Sequence, residues 1–230
     1  MKNTLIISDT HAPFHHRDTL PFLDALVDHW GIEDAKHTGD IVDNHFGSFH
    51  DVEHGTMSAK DEHIQAKKFV KKLEERFPSL TVVLGNHDIL AERKATKAGI
   101  MMEHLNDYNS RYDVNWNWVE DDFFKVDQYN HCLLTHSIGS GTLNNATKFS
   151  HCSIQGHHHS KYGLEYFADN QILRWSITSG CLIDQKSPAF NYARKAVLAR
   201  AIIGCAVIVN NTPIMTPMRL TKSGRWNKKV

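Results

Sequence analysis

The chain has 230 residues and equal numbers of basic and acidic side chains, 26 each. That length supports one sizeable core, and zero formal charge excludes an overall field drawing the protein to nucleic acid or an anionic membrane. Cys132, Cys152, Cys181 and Cys205 are scattered without a Cys-x-x-Cys pair, which argues against a zinc knuckle or a disulfide scaffold and for a reduced, cytoplasmic setting.

The aliphatic run in residues 1–7 is too short for a signal peptide, and no later run approaches membrane-spanning length, so no membrane partner is expected. The 17 histidines outnumber the 4 cysteines; the informative ones stand beside Asp, Asn and Gly, whereas isolated ones such as His29, His37 and His63 read as surface or half-buried polar residues.

Residues 4–7 form an apolar strand that ends in Ser8-Asp9-Thr10-His11. Asp9 and His11, two apart, fall on one side of extended backbone and suit two ligands of one metal. Residues 18–30 carry apolar side chains at helical spacing, with Asp18 or Thr19 as the cap and Gly31 as the stop. A strand over 32–38 delivers Gly39-Asp40-Ile41-Val42-Asp43-Asn44. There Asp40 can offer one oxygen to each of two metals, while Asp43 can orient a neighbouring ligand. The histidine-rich stretch 44–56, with His45, His50 and His54, is long enough to cover the sheet edge as a lid.

A helix over 58–77 is expected next, capped by Ser58 and carrying lysines on its outer face. The run Thr81-Val82-Val83-Leu84 reads as a central strand of an α/β sheet, handing Gly85-Asn86-His87-Asp88 to the edge where ligands gather. Asn86 offers an amide oxygen, His87 a group that titrates near neutrality, and Asp88 a carboxylate able to hold the imidazole. Helices follow over 89–98 and 101–112, then strands around 116–119, 123–126 and 131–136, the last ending at His136.

A short helix over 142–149 and a strand over 152–155 lead to Gly156-His157-His158-His159, where His157 and His159 share a side and His158 points away. The remainder is β-rich. Residues 222–230 make a small basic tail around Trp226, expected to fray. These readings give one domain over 1–220 and a tail over 221–230.

The five polar strand ends, Asp9-x-His11, Gly39-Asp40-x-x-Asp43, Gly85-Asn86-His87-Asp88, His136 and Gly156-His157-x-His159, stand in one order along the chain. That ordered set resembles the metallophosphoesterase, or calcineurin-like phosphoesterase, superfamily. The Gly39–Asn44 segment, Phe77-Pro78 and the short closing β region further resemble small metallophosphoesterases encoded by bacteriophages. The resemblance implies an α/β fold in which two β-sheets lie face to face with helices outside, a four-layer αββα sandwich. It implies Asp9, His11, Asp40 and His159 on one divalent metal and Asp40, Asn86, His136 and His157 on a second, with Asp40 bridging.

It also implies a metal-bridging hydroxide as nucleophile and His87 as proton donor, with Asp88 on its other nitrogen. The mixed donor set suits Mn²⁺ foremost, with Fe²⁺, Zn²⁺ or Ni²⁺ as alternatives. Asn44, His45 and Arg93 are the candidate substrate contacts. The implied activity is hydrolysis of phosphate esters, as a phosphodiesterase or nuclease or as a nucleotide phosphatase. Asp88 matches the superfamily's DNA repair nucleases, where protein phosphatases usually carry Glu. The alternative is a non-catalytic metal-binding scaffold on the same fold.

Overall fold

The computed structural model describes residues 2–47, 57–139, 141–187 and 200–230. A six-stranded sheet has the order β11 (Thr212–Pro217), β10 (Gly204–Val209), β1 (Thr4–Ile7), β2 (Asp34–His37), β3 (Thr81–Val83) and β4 (Asn117–Val119). Strands β1 to β4 run parallel, and β10 pairs antiparallel with β1. A five-stranded sheet has the order β5 (Asp121–Lys125), β6 (His131–Thr135), β7 (Cys152–Gln155), β9 (Ile172–Ser179) and β8 (Tyr162–Asp169). Strands β6, β7 and β9 are parallel.

The two sheets pack face to face because each supplies an apolar face to one seam. Ile6, Val83, Ala206 and Ile208 from the first sheet meet Cys132, Leu134, Ile154, Trp175 and Ile177 from the second. The alternate residues of the same first-sheet strands, Leu5, Ile7, Val82, Cys205 and Val207, turn the other way onto helices α1 (Thr19–Trp30) and α2 (Ala59–Arg76). Both faces of β1 are therefore buried, which is why it reads as an unbroken apolar run rather than an alternating one. Helix α5 (Thr142–Phe149) covers the outer side of the second sheet over β7 and β9. The layers are helix, sheet, sheet, helix, as the resemblance implied.

The helix boundaries follow their caps. Gly31 closes α1 in left-handed backbone at φ 57°, and the Ser58 side chain accepts the Asp61 N–H at the start of α2. Helix α3 spans Leu90–Lys97. Three expectations need correction. Strand β3 is not central; it lies between β2 and the edge strand β4. The helix expected over 101–112 is two pieces, a 3₁₀ turn Met102–His104 and α4 (Tyr108–Tyr112), because the Asp107 side chain accepts the Ser110 N–H and starts a new helix.

The basic tail, finally, is docked rather than frayed. The buried Asp18 carboxylate accepts from the Arg225 guanidinium and, at 2.8 Å, from the Trp226 N–H, while the Trp226 ring packs edge-on against Phe22. Only residues 44–47 of the expected lid are described, with His45–Gly47 as a 3₁₀ turn; His50 and His54 lie outside the described residues. No helix among the described residues is long and apolar enough to cross a membrane.

Candidate metal centre

The site is assembled where β1, β2 and β3 of one sheet and β6 and β7 of the other all end. Three residues take left-handed backbone there although they are not glycine: His11 (φ 47°), Asp40 (φ 50°) and His157 (φ 65°). Such conformations cost energy and persist where surrounding contacts impose them. The contacts are visible. Asp40 Oδ1 accepts the His87 N–H at 2.8 Å, and Asp9 accepts the Thr38 hydroxyl and the His157 N–H, each at 2.6 Å.

Two glycines permit this crowding. A Cβ on Gly85 would stand 2.1 Å from Asp40 Oδ1, and one on Gly156 would stand 2.2 Å from Asp9 Oδ1.

Among the described residues, three groups of side chains converge closely enough to share a cation: Asp9, His11 and His159; His11, Asp40 and His87; Asp40, His136 and His157. Asp40 links the last two. His136 Nε2 lies 3.2 Å from Asp40 Oδ2 and 2.9 Å from Asn86 Oδ1; His159 Nε2 lies 3.4 Å from Asp9 Oδ2 and 3.1 Å from His11 Nε2. The structure thus brings together all seven residues expected as ligands.

Their outer nitrogens are held from behind. His11 Nδ1 donates to Asp43 Oδ1 at 2.6 Å and His136 Nδ1 donates to the Thr38 carbonyl at 2.9 Å, which leaves both Nε2 atoms for the centre. The donor set fits a divalent cation: imidazole nitrogens and carboxylate oxygens within 4.8 Å of one another in each group, with the Asn86 amide oxygen beside His136. Burial pushes the Asp40 carboxyl up, but His136, His87 and His11 pull it well below the usual range. Burial presses His136 down, and Asp40 and Asp9 more than offset this, lifting it to about 10.

Asp88 does not hold the His87 ring as expected. Its buried carboxylate accepts main-chain N–H groups instead, from Gly85 at 2.8 Å, Ile41 at 3.0 Å and Val42 at 3.3 Å, so it ties the turn after β3 to the turn after β2. Burial foremost, with Asp40 nearby, lifts its pKa to about 7. The His87 ring is instead held by Asp43, whose carbonyl accepts from Nδ1 at 2.5 Å and whose Oδ1 lies 3.6 Å away.

Beside the centre opens a cleft of about 700 Å³, lined by His11, Asp40, Asn86, His87 and His157–His159. None of the three expected substrate contacts lines it, and the reasons are local. The Asn44 amide donates to the His87 carbonyl, His45 is buried with its N–H on Glu62, and Arg93 is exposed on α3. Sequence reasoning missed Thr38, which touches both Asp9 and His136; its only signal is its place just before the Gly39-Asp40 turn.

Fold and site together define a two-sheet α/β protein with a carboxylate-imidazole centre where the sheets meet. The profile of the calcineurin-like phosphoesterase family matches residues 2–181, and the chain belongs to that family. No curated protein matches the sequence significantly. Among solved structures, YfcE, a phosphoesterase from E. coli, is similar at 13% identity with TM-score 0.51, covering 99% of this chain and 98% of that one. Vps29 of Chaetomium thermophilum is similar at 12% identity with TM-score 0.50, covering 99% of this chain and 94% of that one. At such identity the likeness is one of fold.

Proposed function

We propose that the protein is a dinuclear-metal-dependent hydrolase of phosphate esters, acting on nucleotide or nucleic-acid substrates. In this reading Asp9, His11, Asp40 and His159 hold one cation, Asp40, Asn86, His136 and His157 hold the other, and Asp40 bridges. The observation that carries it is the place of Asp40 Oδ2 between His11 Nε2, 3.5 Å away, and His136 Nε2, 3.2 Å away, with both rings held at Nδ1 so that they present Nε2. Divalent cations there would supply Lewis acidity to phosphoryl oxygens and make water acidic near neutrality.

The chain's own residues do the rest. Asp43 fixes His11 and His87 together, and Thr38 fixes Asp9 and His136. With Nδ1 of His87 donating to the Asp43 carbonyl, Nε2 can pass a proton to a leaving oxygen from the imidazolium form, which, against burial, the Asp40 and Asp43 carboxylates favour. Asp88 positions both turns and does not line the cleft. Mn²⁺ is the metal we assign. The phage-type reading and a cytoplasmic setting belong to the same proposal, supported by the Gly39–Asn44 segment and by four buried free cysteines.

The test is hydrolysis of bis-p-nitrophenyl phosphate beside p-nitrophenyl phosphate under added Mn²⁺, with Asp40→Ala and His87→Ala as variants. Metal-dependent turnover lost by at least about a hundredfold in both variants supports the reading, and the preferred ester separates diesterase from monoesterase. No turnover of either ester by the native protein would favour the non-catalytic scaffold.

A further inference from the structure

The cleft extends beyond the metal centre. Its far half is walled by Ile183–Lys186, by Arg200 and by Leu220, Ser223 and Gly224. That half changes sign. Around the centre the charged groups are Asp9 and Asp40 among histidines, whereas the far half presents Arg17, Lys186 and Arg200 against one acid, Asp184. Asp184 is turned to the backbone, where its Oδ1 accepts the Lys186 N–H at 2.9 Å. Arg17 and Lys186 are exposed.

The wall that carries these cations is anchored from beneath. Buried His16 accepts the Asp18 N–H on Nδ1 and donates from Nε2 to the Gly224 carbonyl at 3.0 Å. The Thr221–Arg225 turn closes on itself and is clamped to Asp18 through Arg225. The Lys186 ammonium lies over Gly224. Arg17 follows His16 directly, so two of the cations hang on this one fixed patch.

We infer that the far half of the cleft is a subsite for a second phosphate, so that the substrate carries an anionic group beyond the one cleaved, as a dinucleotide or short oligonucleotide does. The inference rests on the phosphoesterase reading for the cleaved group but not for the subsite itself. A neutral leaving group gains nothing from three cations, whereas a phosphate gains charge-assisted hydrogen bonds from guanidinium and ammonium groups already in place. A cleft of about 700 Å³ is also larger than a single phosphate ester of a small phenol needs.

The experiment compares two ligands that differ only in that group, thymidine 5′-phosphate and thymidine 3′,5′-bisphosphate, binding to the Mn²⁺-loaded protein by calorimetry at fixed ionic strength. The expected result is at least about tenfold tighter binding of the bisphosphate, shrinking to within about twofold in the Arg17→Ala/Lys186→Ala variant. Both side chains are exposed, and an unchanged melting temperature checks that the variant is folded. Equal affinities in the native protein, no binding of either ligand, or a preference that survives in the variant would each overturn the inference. Hydrolysis of bis-p-nitrophenyl phosphate reads the other question separately. A protein that prefers the bisphosphate yet cleaves no ester keeps the subsite and loses the catalytic reading.

Discussion

Gly85→Ala is the sharpest test of how the centre is wedged together. The added methyl would lie 2.1 Å from Asp40 Oδ1 and 2.2 Å from the Asp40 main-chain nitrogen, more than 1 Å inside ordinary contact, roughly 3.5 Å. A backbone nitrogen cannot swing aside as a side-chain tip does, so the turns after β2 and β3 must part. Overpacking of this kind costs about 1–3 kcal/mol. Parting the turns also stretches the Asp88 hydrogen bonds to Gly85, Ile41 and Val42. A total near 3 kcal/mol lowers the melting temperature by roughly 6–12 °C in a chain of this size.

The assay is thermal unfolding by circular dichroism in chelator, which isolates the packing effect, followed by Mn²⁺ titration. Displaced Asp40 should weaken the metal by at least about tenfold. Gly163→Ala is the control, because a Cβ there meets nothing within 4 Å and its backbone needs no positive φ; it should move the melting temperature by no more than about 2 °C. Gly85→Ala melting within about 2 °C of the parent with unchanged Mn²⁺ affinity would refute the reasoning.

Asp43→Asn leaves the fold intact but weakens Mn²⁺ by about 10- to 100-fold in a metal titration, because the carboxylate that orients His11 is lost. Asp18 is held down to about 2, foremost by the Arg225 guanidinium. Its ionised form is thus favoured in the folded state, and the clamp contributes fully above the unfolded value near 3.9 and fades as pH falls toward 2. The melting-temperature gap between the native protein and Asp18→Asn should be constant above about pH 5 and close on acidification.

Glu62 has the opposite sign: burial foremost, with Asp43 nearby, lifts it to about 7. The neutral form is favoured in the folded state, so stability falls as pH rises from the ordinary glutamate value through 7. Glu62→Gln should match the native protein at pH 4 and exceed it at pH 8 by up to about 3 kcal/mol in urea unfolding.

The strand and helix pattern was legible where burial leaves a strong local mark. Strands β1 and β3 are apolar because both faces are covered, and α1 and α2 announce themselves through caps and spacing. The candidate ligands were legible because each closes a strand, so a local motif coincides with a place in the sheet. What failed was pairing between motifs. Asp88 stands next to His87 in sequence, yet Asp43, from another turn, holds that ring. Asp18 and Arg225 meet across 207 positions and leave no local trace, which is why a docked tail reads as a loose one. The left-handed backbone at His11, Asp40 and His157 is likewise imposed by neighbours rather than by those residues' own preferences.

The placement of β10 between β1 and β11 has a consequence for synthesis. The first strand of the chain is completed on one side by a segment that begins at Gly204, and the centre draws from both sheets. Closing contacts over such distances is slow and has to wait for β10. A growing chain on the ribosome therefore carries Asp9, His11 and Asp40 long before His136, His157 and His159 have been made to meet them.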